Sequence, residues 1–194
     1  MNKKRWNVLS GILFVMFFTA GPHIVSAEEN SREYAQTKYG ISLTGGNTYN
    51  LTDTISYYMV SGIVLFDYDK VWKHKAPEQL RFKVEGSIGA ARDKKTRLVS
   101  SMNIFAHYYL DFLVSQNIRP FVEGGVGIIY TDFQVRGQGL RINFNPQFGL
   151  GAEFNAGMDN TFFFSVRIHH ISNGGLDHEN RGINSVMGVL GYYF

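Results

Sequence analysis

The stretch from Phe162 to Gly175 reads FFFSVRIHHISNGG and sets a histidine, His170, two residues before a serine, Ser172. On an extended strand residues i and i+2 share a face, with Cα atoms roughly 6.5–7 Å apart. An imidazole beside a hydroxyl is the pairing of a general base with a nucleophile. Asn173-Gly174-Gly175 follows at once, offering amide donors and an unobstructed backbone near any oxyanion formed at Ser172. The plain alternative is a strand end entering a polar layer, where histidine and serine need no chemical role.

Whether the pair is usable depends on the elements that carry it, and their signal is alternation. From Gln79 to Ala91 the even positions are Leu80, Phe82, Val84, Gly86, Ile88 and Ala90, whereas the odd ones include Arg81, Lys83, Glu85 and Ser87. From Asn143 to Asn155 the same split recurs, and a helical period fits neither segment. Such runs predict eight strands at 34–44, 54–67, 80–91, 97–112, 118–131, 143–155, 160–172 and 183–194. Turn-rich segments separate them, including Gly45-Gly46-Asn47, Asp93-Lys94-Lys95 and Arg136 to Gly139. Strands of about ten residues or more suit a tilted bilayer crossing.

A soluble all-β domain would alternate too, with its greasy face inward, so the placement of charge discriminates. In a closed eight-stranded barrel the narrow interior is filled by side chains. Arg81, Lys83, Glu85, Asp111, Glu123, Glu153 and Arg167 are therefore expected to form a neutralising lumenal network. Tyr57, Tyr58, Tyr108, Tyr130, Tyr192 and Tyr193 lie near strand ends and suit interfacial girdles. The fold class expected is an all-β, eight-stranded antiparallel transmembrane barrel. The terminal Phe194 resembles the assembly signal of bacterial outer-membrane barrels.

Composition agrees with export. Lys3, Lys4 and Arg5 precede an apolar run from Val8 to Ala20, then Gly21, Pro22 and the small-residue site Val25-Ser26-Ala27, which reads as a signal peptide over residues 1–27. The run is too short for a membrane-spanning helix. Those three basic residues supply the whole formal charge of +3, leaving residues 28–194, the expected barrel, neutral. Nucleic acid is thereby excluded as a partner. The chain has no cysteine, which rules out thiol nucleophiles, disulfides and thiolate metal sites.

The run His170-Ile171-Ser172-Asn173-Gly174-Gly175-Leu176, followed by Asn180-Arg181-Gly182-Ile183-Asn184, resembles the active-site signature of the outer-membrane lipid A 3-O-deacylases. The resemblance implies an eight-stranded barrel in the bacterial outer membrane, with its site facing outward at the outer leaflet. The activity implied is hydrolysis of the ester-linked acyl chain at position 3 of lipid A. On matching positions Ser172 is the nucleophile, His170 its base, and Asn173 with Gly174 the oxyanion donors. The partners implied are lipid A or lipopolysaccharide and the surrounding lipid, with a homodimer left open, and no cofactor is called for.

The chain departs from the signature at Asn184, where the family has an acidic residue that orients the histidine. An amide holds an imidazole in one tautomer but does not neutralise the imidazolium formed during acylation. Asp177 and Glu179, in the intervening loop, are the alternative carboxylates. With both termini periplasmic, His170, Ser172 and Asn184 fall at the outer end of one hairpin, and their even parity sets all three on the lipid face. A non-catalytic barrel and an esterase for another lipid ester remain the competing readings. His169, His170, Asp177, His178 and Glu179 are not expected to bind metal, because adjacent strand histidines point to opposite faces.

Overall fold

The computed structural model describes residues 36–72, 75–155 and 161–194. Alternating sequence has become strand: β1 (Lys38–Thr48), β2 (Ser56–Asp67), β3 (Leu80–Arg92), β4 (Thr96–Tyr109), β5 (Ile118–Thr131), β6 (Ile142–Phe144), β7 (Gln147–Asn155), β8 (Thr161–Ile171) and β9 (Ile183–Tyr193). All pairings are antiparallel, and β1 closes on β9 while β4 pairs β5, so the sheet has no free edge. Segments β6 and β7 pair successive stretches of β5 and share one position, which makes an eight-stranded barrel. In lipid such closure satisfies every ladder N–H and C=O. The start of β1 and the end of β9 share one rim, the terminal rim. The opposite rim carries the loops 49–55, 93–95, 132–141 and 172–182, and is called the site rim.

Side-chain parity follows the charge argument. Leu43, Val60, Ile88, Met102, Phe148, Phe164, Ile168 and Leu190 stand exposed on the outer wall. Lys83, Glu85, Glu123, Glu153 and Arg167 are buried inside. Arg167 donates to both oxygens of Glu85 (2.8 and 2.9 Å) and to Glu123 (2.6 Å), and Lys83 bonds Glu123. Tyr109 and Lys38 close on Glu153 at 2.6 and 2.9 Å. An apolar cluster lies on each side of this charged layer. Ile55, Tyr57, Val99, Ile129, Phe133, Ile171, Ile183 and Met187 plug the site rim, and Ile63, Leu65, Tyr109, Phe121, Phe163 and Tyr193 fill the terminal end.

Four expectations need correction. The first strand runs four residues later than its pattern suggested, and Gly45-Gly46-Asn47 is strand, not turn. Gly46 is there because β9 passes so close that a Cβ would strike the Val186 carbonyl and the Met187 side chain. Tyr57 and Tyr193 point into the lumen, since each has the opposite parity to its lipid-side neighbour. Asp111 lies outside the lumenal layer, in a 3₁₀ turn after β4, where Arg119 chelates it at 2.7 and 3.0 Å. The expected signal peptide, residues 1–27, lies outside the described residues, as does the segment from Gly157 to Asn160, a turn-rich stretch in the sequence.

Candidate active site

The site grows from the end of β8. His170 is paired across the ladder with Asn184 of β9, so both half-buried side chains emerge on the same outer face. Their contact is direct: His170 Nδ1 and Asn184 Oδ1 lie 2.6 Å apart. With the amide oxygen accepting, Nδ1 carries the proton and Nε2 keeps its lone pair, the tautomer required of a general base.

Ser172 continues the same face beyond the regular strand. Its backbone is held by an isolated bridge to Phe144, with N–H···O bonds of 3.2 and 2.8 Å in the two directions. This partner exists because the sixth barrel strand, β6 with β7, is interrupted. Pro146 has no N–H to give the ladder, and its carbonyl accepts the His170 N–H at 3.0 Å. The chain then turns away sharply through Gly174 and Gly175, whose φ angles of 66° and 87° are left-handed. A Cβ on Gly174 would also lie 2.9 Å from the Phe144 ring.

The loop after Ser172 is built around Asn173, which is 1% exposed. Its N–H donates to Asn180 Oδ1 (2.8 Å), its side-chain amide donates to the Glu179 carbonyl (2.9 Å), and its Oδ1 accepts from Gly175 N–H (2.9 Å). Asn173 is thus fully engaged in shaping the turn, while among the described residues no hydrogen bond engages the N–H of Gly174. Asp177 Oδ1 accepts the Glu179 N–H at 2.8 Å, and neither of these two carboxylates contacts His170. His169, of opposite parity, faces the lumen edge-on to Tyr57 at 6.0 Å. Of the site residues expected from sequence, the structure joins His170 to Asn184, sets Ser172 two residues further along the chain beside Phe144, and leaves Asp177 and Glu179 in the loop. No hydrogen bond joins Ser172 Oγ to His170 among the described residues, and such contacts are commonly loose without substrate.

Three supporting residues carried no clear chemical signal in the sequence. Asn50, from the β1–β2 loop, accepts the Asn184 N–H (2.8 Å) and donates to the Gly182 carbonyl (2.9 Å), bracing the orienting residue from the neighbouring hairpin. Gly182 lies flat against the imidazole, where a Cβ would stand 2.6 Å from His170 Cε1. Asn180 holds the residue after the serine. An open groove beside the pair is lined by Tyr49, Pro146, Phe148, Ile168, His170 and Asn184, mostly apolar surface on the lipid-facing wall.

A closed antiparallel barrel with charge inside, apolar wall outside and a histidine–serine face on that wall is an outer-membrane barrel with a membrane-facing site. The chain belongs to the lipid A 3-O-deacylase (PagL) family, whose model matches residues 18–193. It is 33% identical over 84 residues to lipid A deacylase PagL of Pseudomonas aeruginosa, an alignment covering 42% of this chain and 46% of that protein, less than half the length of either. Among solved structures it resembles the outer-membrane enzyme PagL, with a TM-score of 0.54, 24% identity and coverage of 78% of this chain and 97% of that one. Neisserial surface protein A gives a TM-score of 0.61 at 10% identity, covering 83% and 97%, a likeness of fold. The protein is accordingly located in the bacterial outer membrane.

Proposed function

We propose that this chain is a serine esterase that removes the acyl chain ester-linked at position 3 of lipid A, with Ser172 as nucleophile and His170 as base. The supporting observation is the 2.6 Å His170–Asn184 contact on the same lipid-facing wall as Ser172, in a chain of this family. His170 Nε2 takes the Ser172 proton as Oγ adds to the ester carbonyl. The oxyanion is held by the backbone N–H of Gly174, since those of Asn173 and Gly175 are engaged within the turn. Collapse expels the sugar hydroxyl with the proton returned from His170, and water then cleaves the acyl-enzyme by the same route. The termini lie in the periplasm in this reading, so the site rim meets the outer leaflet, where the ester lies. Residues 1–27 are removed on export, which N-terminal sequencing of the purified protein tests.

The test is to incubate folded protein with lipid A in detergent and weigh the products. Loss of one hydroxyacyl chain with wild type and none with Ser172→Ala is the expected result. Equal hydrolysis by both proteins would remove the mechanism.

A second reading, a barrel without turnover, draws on one observation: the residue bonded to His170 is an amide and brings no negative charge. An active-site-directed phosphonate separates the two. Labelling at Ser172 belongs to the esterase, and an unlabelled serine in a folded barrel belongs to the structural role.

A further inference from the structure

Among the described residues, several exposed cations of the site rim have no carboxylate partner, Arg92, Lys94 and Lys95 among them, and two more, Arg136 and Arg181, lie on the loops that meet at the candidate site. Around the lumen and the terminal rim, arginines have carboxylates: Arg167 has Glu85 and Glu123, Arg81 has Asp67 at 2.8 Å, and Arg119 has Asp111. On the site rim Arg141 has Asp132 at 2.5 Å. Arg136 and Arg181 are exposed, and among the described residues neither has a carboxylate within ion-pair distance. Asp177 and Glu179, the nearby acids in sequence, do not pair with them: Asp177 is turned to the Glu179 N–H and packs against Gly139.

These two arginines are held together by the backbone of two loops. Arg181 N–H donates to the Gly137 carbonyl at 2.6 Å, and Gly139 N–H donates to the Glu179 carbonyl at 2.7 Å, with Gln138 bridged to Asn180 between them. The Arg181 guanidinium donates to the Arg136 carbonyl at 3.5 Å, and its stem lies over Gly137, whose φ of 87° is left-handed. Arg181 is also flanked by two residues of the candidate site: Asn180 holds the residue after Ser172, and Gly182 abuts the His170 ring.

We propose that Arg136 and Arg181 form a binding site for a phosphate monoester on the headgroup of the lipid whose ester is presented to Ser172. Guanidinium groups recognise phosphate through paired, charge-assisted hydrogen bonds. Two of them on the paired loops that adjoin the site fix the headgroup while the acyl chain lies along the apolar groove, so the arginines set which ester reaches Ser172. The inference rests on the esterase reading for its substrate, but the anion site is testable without turnover.

The experiment measures binding by Ser172→Ala protein in detergent, comparing lipid A with the same lipid A after phosphatase treatment. The arginine pair is expected to make the phosphorylated lipid bind about tenfold tighter or more, and Arg136→Gln/Arg181→Gln to bring that ratio close to one. Lys94→Gln, an exposed cation elsewhere on the same rim, is expected to keep it. Inorganic phosphate is expected to compete only at concentrations far above those of the lipid. A ratio near one in the parent protein, a ratio unchanged in the double variant, or an equal loss in Lys94→Gln would each overturn the site. Native gel mobility of unheated samples identifies unfolded variants, and Arg136→Lys/Arg181→Lys, keeping charge without the planar fork, is expected to retain only part of the preference. Absence of turnover in wild type alongside an intact preference would remove the esterase reading and leave the anion site standing.

Discussion

Replacing the amide that faces His170 with a carboxylate is the sharpest probe of this site. Asn184→Asp is nearly isosteric, so it sets a charged oxygen where the amide oxygen now lies, 2.6 Å from Nδ1. In the proposed mechanism His170 becomes an imidazolium in the transition state for acylation. Unit charges about 4 Å apart attract by about 4 kcal/mol at an effective dielectric of about 20. Half-burial of the carboxylate in the resting enzyme takes back part of this. Exchanging a neutral hydrogen bond for a charge-assisted one contributes at least about 1 kcal/mol. A net gain of about 1.5–3 kcal/mol corresponds to roughly 10- to 150-fold in kcat. The assay is initial-rate release of hydroxy fatty acid from lipid A under saturating substrate, with Asn184→Ala as the variant that removes the contact and is expected to fall below wild type. A kcat for Asn184→Asp equal to or below wild type, in a folded barrel that still requires Ser172, would refute the argument that missing charge limits the reaction.

Other perturbations reach separate parts of the structure. Gly182→Ala drives a Cβ to 2.6 Å from the imidazole, so hydrolysis is expected to fall about tenfold or more while barrel stability, followed by urea unfolding, stays within about 1 kcal/mol. Asn50→Ala removes both bonds that brace Asn184 and Gly182, and is expected to lower kcat/KM by roughly tenfold, corresponding to about 1–2 kcal/mol. In the lumen Glu123→Ala leaves Lys83 and Arg167, two buried cations, to share Glu85 alone, with an expected cost of about 3–5 kcal/mol in the same unfolding assay. At the terminal rim the Arg119 guanidinium, by hydrogen bonding, holds Asp111 below the ordinary carboxylate range. Because the folded value is depressed, the stabilisation is complete at neutral pH and fades only as pH falls through that lowered value. Amide protection at Leu113 and Val114, measured by hydrogen exchange, is expected to persist through mild acid in wild type and to be lost in Asp111→Asn.

Where sequence succeeded and where it failed follow from range. Period-two alternation is local, so seven of the strands could be read within a few residues, and parity then assigned Lys83, Glu85 and Arg167 to the lumen and His170 to the wall. Gly45-Gly46 misled because the cause of Gly46 is non-local: it answers to β9, which lies far along the chain. Pro146 sat inside an alternating run, and its role became visible only when the broken ladder left Phe144 to pair with Ser172. Tyr57 and Tyr58 look alike in sequence, yet a single step along a strand separates lumen from lipid. Asn50 touches the site across 134 residues, a contact that no spacing rule announces. The serine, histidine and their neighbours were legible because one short strand and its turn contain them.

The packed lumen also bears on the membrane around the protein. Between the two apolar plugs, a cavity of about 20 Å³ lined by Glu85, Asn103, Asn145, Arg167 and His169 has room for about one water molecule. Ions crossing through the barrel would have to part Arg167 from both of its carboxylates and displace an aromatic layer at each end. Conductance across a planar bilayer should therefore stay at background however much protein is inserted. A cell can carry many copies of such a barrel without puncturing the permeability barrier of its outer membrane.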